Sequence, residues 1–198
     1  MTRVDDALGA SRLGVDAIGL IFAAHSPRVL ELSNARAIAI AVPPLVTRVA
    51  LFLDQSADLV RRVLGMMPID VLQFHGREDA AFCRQFGKSY LKVVPMLDVH
   101  DVAAFAAQYP DAGGFVLDAH RAGAAGGTGV TFDWTRAVGA LDRPIVLAGG
   151  LQQDNVGAAI AQVRPWAVDT SSGIESSPGV KDHARMRAFI DEVRRVGG

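Results

Sequence analysis

Residues 144–175, PIVLAGGLQQDNVGAAIAQVRPWAVDTSSGIE, hold the arrangement on which the fold turns. A short apolar run at 144–148 meets Gly149-Gly150, a stretch of helical periodicity follows at about 152–162, and a second apolar run at 167–170 opens onto Ser171-Ser172-Gly173. Both runs are apolar on successive residues, as expected of strands covered on each face rather than half-solvated ones. A strand, a helix and a second strand of this kind make a parallel unit, because returning to the same edge of a sheet in the same direction requires a crossover.

Working outward, the same alternation fills the chain. Further strand-like runs lie at 17–22, 47–53, 71–74, 91–96 and 114–118, and helix-like segments at about 4–14, 33–41, 56–66, 78–87, 98–108, 132–140 and 180–196. Ser33, Ser56 and Asp98 are suited to cap helices. Pro27, Pro43, Pro44, Pro68, Pro144 and Pro165 fall at boundaries, where a missing N–H matters least. No linker, solenoid-length repeat or low-complexity tract divides the chain, so residues 1–198 are expected to form a single domain. An open dinucleotide-binding sheet needs G-x-G-x-x-G after its first strand, and Ala23-Ala24-His25-Ser26-Pro27 has no such glycines. The remaining solution is a (β/α)8 TIM barrel. Eight helical segments against seven strands, with a helix first, imply such a barrel with strand 1 missing.

Composition narrows the chemistry. With 20 Lys+Arg against 21 Asp+Glu and a net charge of −1, the chain has no broad basic surface for nucleic acid, so an anion must be held by a local pocket. The lone cysteine, Cys83, excludes an internal disulfide and a cysteine-based zinc site. No apolar run reaches the roughly 18 residues of a membrane span, and no signal-peptide core opens the chain. We therefore expect a cytoplasmic protein with no membrane and no metal.

A barrel of this class gathers its chemistry at the C-terminal ends of its strands. Gly149 and Gly150 after one closing strand, and Ser171, Ser172 and Gly173 after the next, offer backbone N–H groups and hydroxyls to a phosphate. Asp118 ends an apolar run, at a lip suited to general-acid work. Arg28 has a planar fork that matches a carboxylate. His75 could orient a substrate group, and Asp169 is expected to hold its neighbours rather than react. Cys83 lies inside a helical segment beside Ala81, Phe82 and Phe86 and is expected to be inert packing. Trp134 and Trp166 are likewise expected to pack.

In this order, these motifs resemble the phosphoribosylanthranilate isomerases, tryptophan-pathway (β/α)8 barrels. The matching residues are Asp16-Ala17-Ile18-Gly19 with Ser26-Pro27-Arg28, Gln73-Phe74-His75-Gly76, Leu117-Asp118, and Gly126-Gly127-Thr128-Gly129 with Phe132-Asp133-Trp134. They continue with Leu147-Ala148-Gly149-Gly150-Leu151, Val168-Asp169-Thr170-Ser171-Ser172-Gly173-Ile174-Glu175, Pro178-Gly179 and Lys181-Asp182. The resemblance implies a cofactor-free Amadori rearrangement of N-(5-phosphoribosyl)anthranilate by a monomer or homodimer. It gives Asp118 the role of general acid, sets Arg28 against the anthranilate carboxylate, and assigns the phosphate to Gly149, Gly150, Ser171, Ser172 and Gly173. The phosphate loops alone would equally suit another phosphosugar isomerase barrel, whereas Arg28 and the 118–129 loop favour the anthranilate substrate.

One departure stands out. The family carries its general base on a cysteine at the end of the first strand, just before a Met-Thr or Ile-Thr pair, and this chain begins at Met1-Thr2. Cys83 lies in the wrong element to inherit that role. We expect the 198 residues to be impaired, with Met1 an internal methionine of a longer, N-terminally truncated chain. The alternative is a shortened paralogue that binds a phosphorylated ligand without turning it over.

Overall fold

The computed structural model describes residues 1–121 and 129–197. The chain opens on helix α1 (Val4–Leu13) and then alternates: β1 (Ala17–Ile21), α2 (Leu32–Ala41), β2 (Thr47–Phe52), α3 (Ala57–Met66), β3 (Val71–Phe74), α4 (Ala80–Arg84), β4 (Tyr90–Pro95), α5 (Val102–Ala107) and β5 (Gly114–Asp118). A 3-10 turn (Trp134–Ala137) precedes β6 (Ile145–Leu147), α6 (Gln153–Val163) and β7 (Ala167–Val168). A short hairpin of β8 (Glu175–Ser177) and β9 (Val180–Lys181) leads into α7 (His183–Gly197). Strands β1 to β7 form one sheet in sequence order, every neighbouring pair parallel.

The pleat sorts side chains onto two faces. Phe115, Leu117, Ile145, Leu147 and Val94 join the main core against the helices, whereas Val93, Val116 and Ala148, with Leu91 and Val146, make a separate small cluster on the other face. Alternation of this kind follows from the two-residue period of a strand. The sheet is rolled with the second face inward. Helix α1, which precedes the first strand, packs on α7, which follows the last, so the helical layer runs continuously from α3 through α2, α1 and α7 to α6. The rolled sheet matches the expected α/β barrel class, and β1 and β7 are its edges among the described residues. No helix of the described residues is long and apolar enough to cross a membrane.

Five local expectations need correction. The segment expected to be helical at 132–140 makes only one 3-10 turn: the Asp133 carboxylate caps its start, accepting from the Thr135 N–H at 3.0 Å and from its hydroxyl at 2.7 Å, and extended Val138 followed by Gly139 at φ 62° ends it. Residues 180–181 are strand rather than helix, because Pro178-Gly179, with Gly179 at φ 86°, turns the chain back on Glu175–Ser177. Ser56 caps α3 as expected, but α5 is capped by Asp101 rather than Asp98, and α2 begins after Glu31, leaving Ser33 inside it. Trp166 does not pack: it is 78% exposed, just ahead of the edge strand β7, where no described residue covers it.

Candidate active site

The inward-facing parity of the sheet carries through to its C-terminal ends. Gln73 pairs with Leu91, Pro95 with Asp118, and Val146 with Ala167, so His75, Asp118, Ala148 and Asp169 continue the inward rows of β3, β5, β6 and β7. Asp118, Asp169, Ala148 to Gly150 and Thr170 to Ser172 line one cleft. A larger hollow, lined by Arg12, His183, Arg187 and Arg194 among others, lies in the helical layer between α1 and α7 and shares no lining residue with this cleft.

The two loops after β6 and β7 are built against one another. The Thr170 hydroxyl donates to the Leu151 carbonyl at 2.6 Å, and a Cβ on Gly173 would stand 2.1 Å from that same oxygen. Gly149 takes φ 85°, and a Cβ there would lie 2.5 Å from the Ala119 nitrogen and 2.9 Å from Oδ1 of Asp118. Glycine is thus required at 149 both by conformation and by the carboxylate beside it. Gly149→Ala is expected to lose about 1–3 kcal/mol of stability and to displace Asp118. Urea unfolding midpoints check this, and an unchanged midpoint would contradict the close approach.

Asp118 is buried, and two histidines crowd it: Nε2 of His75 lies 3.4 Å and Nδ1 of His120 3.6 Å from its Oδ2. The two imidazoles face each other, ring centres 4.2 Å apart. Burial first, and then His75, push the His120 imidazole down to about 4, so it is neutral at physiological pH. The protein around Asp169 first, and then Asp118, push its carboxyl above the usual range, although the side chain is exposed to the cleft and water tempers the effect. His120 was missed in the sequence. Its backbone N–H donates to the Asp118 carbonyl at 2.9 Å, a tight reversal that folds the ring back over the acid and leaves no periodic signal.

Arg28 is buried, and its fork is already engaged. Nε and Nη2 bond the Glu175 carboxylate at 2.9 and 2.7 Å, while Lys181 Nζ reaches Glu175 at 3.0 Å and the Ser171 carbonyl at 2.9 Å. This buried triad spans the roll from the β1 side to the hairpin and touches the loop after β7. Burial works against the charged form of Glu175, but hydrogen bonds from Arg28 and Lys181 hold its carboxyl below the usual range; burial pulls Lys181 down despite Glu175. A second buried pair, Lys92 with Glu78 at 2.9 Å, lies behind the sheet; Glu78 also accepts from the N–H groups of Asp54 and Gly76 and so braces the turn after His75.

Cys83 is fully buried within α4 in the helix-side core, and burial pushes its thiol up to about 12. A thiol so protonated is no nucleophile. Native protein is expected to resist thiol reagents that label Cys83 once urea unfolds it. Rapid labelling without denaturant would contradict that placement. Of the glycine-rich loop at 123–129, all but Gly129 lies outside the described residues.

Comparisons with known proteins give the family. Residues 1–192 match the family model for N-(5'-phosphoribosyl)anthranilate (PRA) isomerase. The N-(5'-phosphoribosyl)anthranilate isomerase of Pseudomonas aeruginosa (strain UCBPP-PA14) is 50% identical over 194 residues, covering 98% of this chain and 92% of the relative. The crystal structure of phosphoribosyl anthranilate isomerase from Thermotoga maritima superposes with a TM-score of 0.88 at 34% identity, covering 98% of this chain and 96% of that one. A structure of the isomerase in complex with reduced 1-(o-carboxyphenylamino)-1-deoxyribulose 5-phosphate gives 0.83 at 31% identity, covering 98% and 95%. With its rolled parallel sheet and its acid set over paired glycine and serine loops, this chain belongs to the N-(5'-phosphoribosyl)anthranilate isomerase family.

Proposed function

We propose that this protein isomerises N-(5'-phosphoribosyl)anthranilate to 1-(2-carboxyphenylamino)-1-deoxyribulose 5-phosphate in tryptophan biosynthesis, as a cytoplasmic monomer or homodimer without a cofactor. The observation that carries the proposal is the shared cleft, which Asp118 lines together with Gly149, Gly150, Ser171 and Ser172.

In this mechanism the phosphate sits on the backbone N–H groups of the two loops, with the Ser171 and Ser172 hydroxyls and Gly173 completing the grip. The anthranilate carboxylate approaches Arg28 through Nη1, which no described residue accepts from. Holding both anionic ends fixes the furanose against Asp118, and much of the rate can originate in that positioning. Protonated Asp118 gives its proton to the ring oxygen as the C1–O bond breaks, and the nitrogen lone pair forms the C1=N iminium. A base removes the proton from C2, giving the enolamine, and reprotonation at C1 with loss of the enol proton gives the ketone. No electrons leave the substrate, so no redox partner is needed. His75 orients the opened sugar, and Asp169 holds its surroundings.

The base is the remaining part of the proposal. By resemblance it is a cysteine on a strand filling the gap between β7 and β1, the first strand of an eight-stranded barrel. Cys83, behind the sheet with a protonated thiol, does not serve. Residues 1–198 by themselves are accordingly expected to bind the product analogue but to turn over substrate slowly. Adding an N-terminal strand ending in Cys-Gly is expected to raise turnover by about two orders of magnitude or more, the usual contribution of a positioned base. The test follows loss of substrate fluorescence in both chains. Equal and rapid turnover by both would remove the base from that strand, and failure of either chain to bind the analogue would reject the substrate.

A further inference from the structure

The cleft holds a set of ligating atoms that the isomerase chemistry does not use in full. His75, Asp118 and His120 each offer one donor atom, all within 4.8 Å of one another. Both imidazoles address the same oxygen, Oδ2 of Asp118, at 3.4 Å from His75 Nε2 and 3.6 Å from His120 Nδ1. A tetrahedral zinc ion with bonds of about 2.0–2.1 Å keeps its ligand atoms about 3.3–3.4 Å apart. Two edges of such a polyhedron are therefore nearly in place.

Neither contact is satisfied as a hydrogen bond. His75 Nε2 and both ring nitrogens of His120 have no partner of ordinary hydrogen-bond geometry among the described residues, the His120 ring having the Asp118 and His75 backbone near it, although its side chain is only 1% exposed. Buried imidazole nitrogens are normally paired, and each such orphan asks for an explanation. Two imidazole nitrogens converging on one carboxylate oxygen are what a borderline cation takes up, whereas Mg2+ and Ca2+ favour all-oxygen sites.

We propose that His75, Asp118 and His120 form a three-ligand site for a zinc-class divalent cation, with its remaining position open to the cleft that Asp118 lines. Held on Oδ2, the cation occupies the oxygen that must carry the proton, so cation and turnover exclude each other. This consequence rests on the isomerase reading; binding itself does not.

Chelator-treated protein titrated with Co2+ reads the site directly through the visible absorption of the bound ion. One equivalent is expected to bind, to be displaced by Zn2+ and not by Mg2+, and to weaken about tenfold or more in His75→Gln and in His120→Gln. Circular dichroism establishes that each variant is folded, and Asp118→Asn provides a third disruption should either histidine variant unfold. Absence of one-to-one binding, or unchanged affinity in the folded variants, overturns the site. In the strand-extended chain, Zn2+ is expected to stop turnover and a chelator to restore it. Stoichiometric binding that leaves turnover intact upholds the cation site and instead rejects Asp118 as the acid.

Discussion

Asp118→Asn is expected to lower turnover by about two to four orders of magnitude in the strand-extended chain while leaving affinity for the reduced product analogue within a few-fold. The asparagine keeps the shape of the carboxylate and its place beside His75 and His120 but has no proton to give to the ring oxygen. Ring opening expels an alkoxide unless that oxygen is protonated as the bond breaks, so the step most dependent on the acid becomes limiting. Steady-state kinetics and analogue titration on the same preparation separate chemistry from binding. Retention of most activity would take Asp118 out of the mechanism. Loss of analogue binding in parallel would make it a binding residue instead.

Glu175→Ala is expected to cost about 3–5 kcal/mol of stability, a large fraction of what holds a domain together. Glu175 bridges two buried cations: its carboxylate accepts from Nε and Nη2 of Arg28 and from Lys181 Nζ. Truncation leaves an arginine and a lysine desolvated together, the arrangement in which breaking an ion pair does most harm. The triad also joins Arg28 on the β1 side to the hairpin 147 residues later, so its loss is expected to loosen the closure of the roll. Urea unfolding checks the size, and a change below about 1 kcal/mol would show the triad to be a solvated surface feature. The pH dependence has a definite sign. Because the Glu175 carboxyl lies below its ordinary value in the folded state, its contribution is complete above that ordinary value, 4.5, and is lost as pH falls toward the lower folded one. Glu175→Gln is expected to flatten the acid limb of the stability profile in that window, and an unaltered limb would contradict the shift.

Much of the fold was legible because the strands are buried on both faces. Val71–Phe74 and Gly114–Asp118 match their apolar runs to the residue, and the other five strands of the parallel sheet differ from theirs by one or two positions at one or both ends. The loops after β6 and β7 were legible for a different reason: Gly149-Gly150 and Ser171-Ser172-Gly173 have no apolar period to continue, and a rolled parallel sheet brings the ends of neighbouring strands to one rim. What the sequence hid is long in range or local in competition. Nothing adjacent to Arg28 announces that Glu175 occupies its fork, and nothing near Asp118-Ala119-His120 announces that a tight reversal turns an imidazole back onto the acid. The helix expected at 132–140 stops after one turn because Val138 is extended and Gly139 takes φ 62°. The Pro178-Gly179 turn was visible as a dipeptide, but the strands around it are too short to show alternation.

We propose that the rim at the C-terminal ends of the strands holds both ends of a phosphorylated anthranilate, with Asp118 between them. A crystal structure of this chain with the reduced product analogue tests it most directly. The account predicts the phosphoryl oxygens on the N–H groups of Gly150, Ser171 and Ser172, the aromatic carboxylate on Arg28, and the sugar oxygen within hydrogen-bond reach of Asp118. A phosphoryl group seated elsewhere, such as among Arg12, Arg187 and Arg194 in the hollow between α1 and α7, or an analogue that leaves Asp118 without a contact, would contradict it.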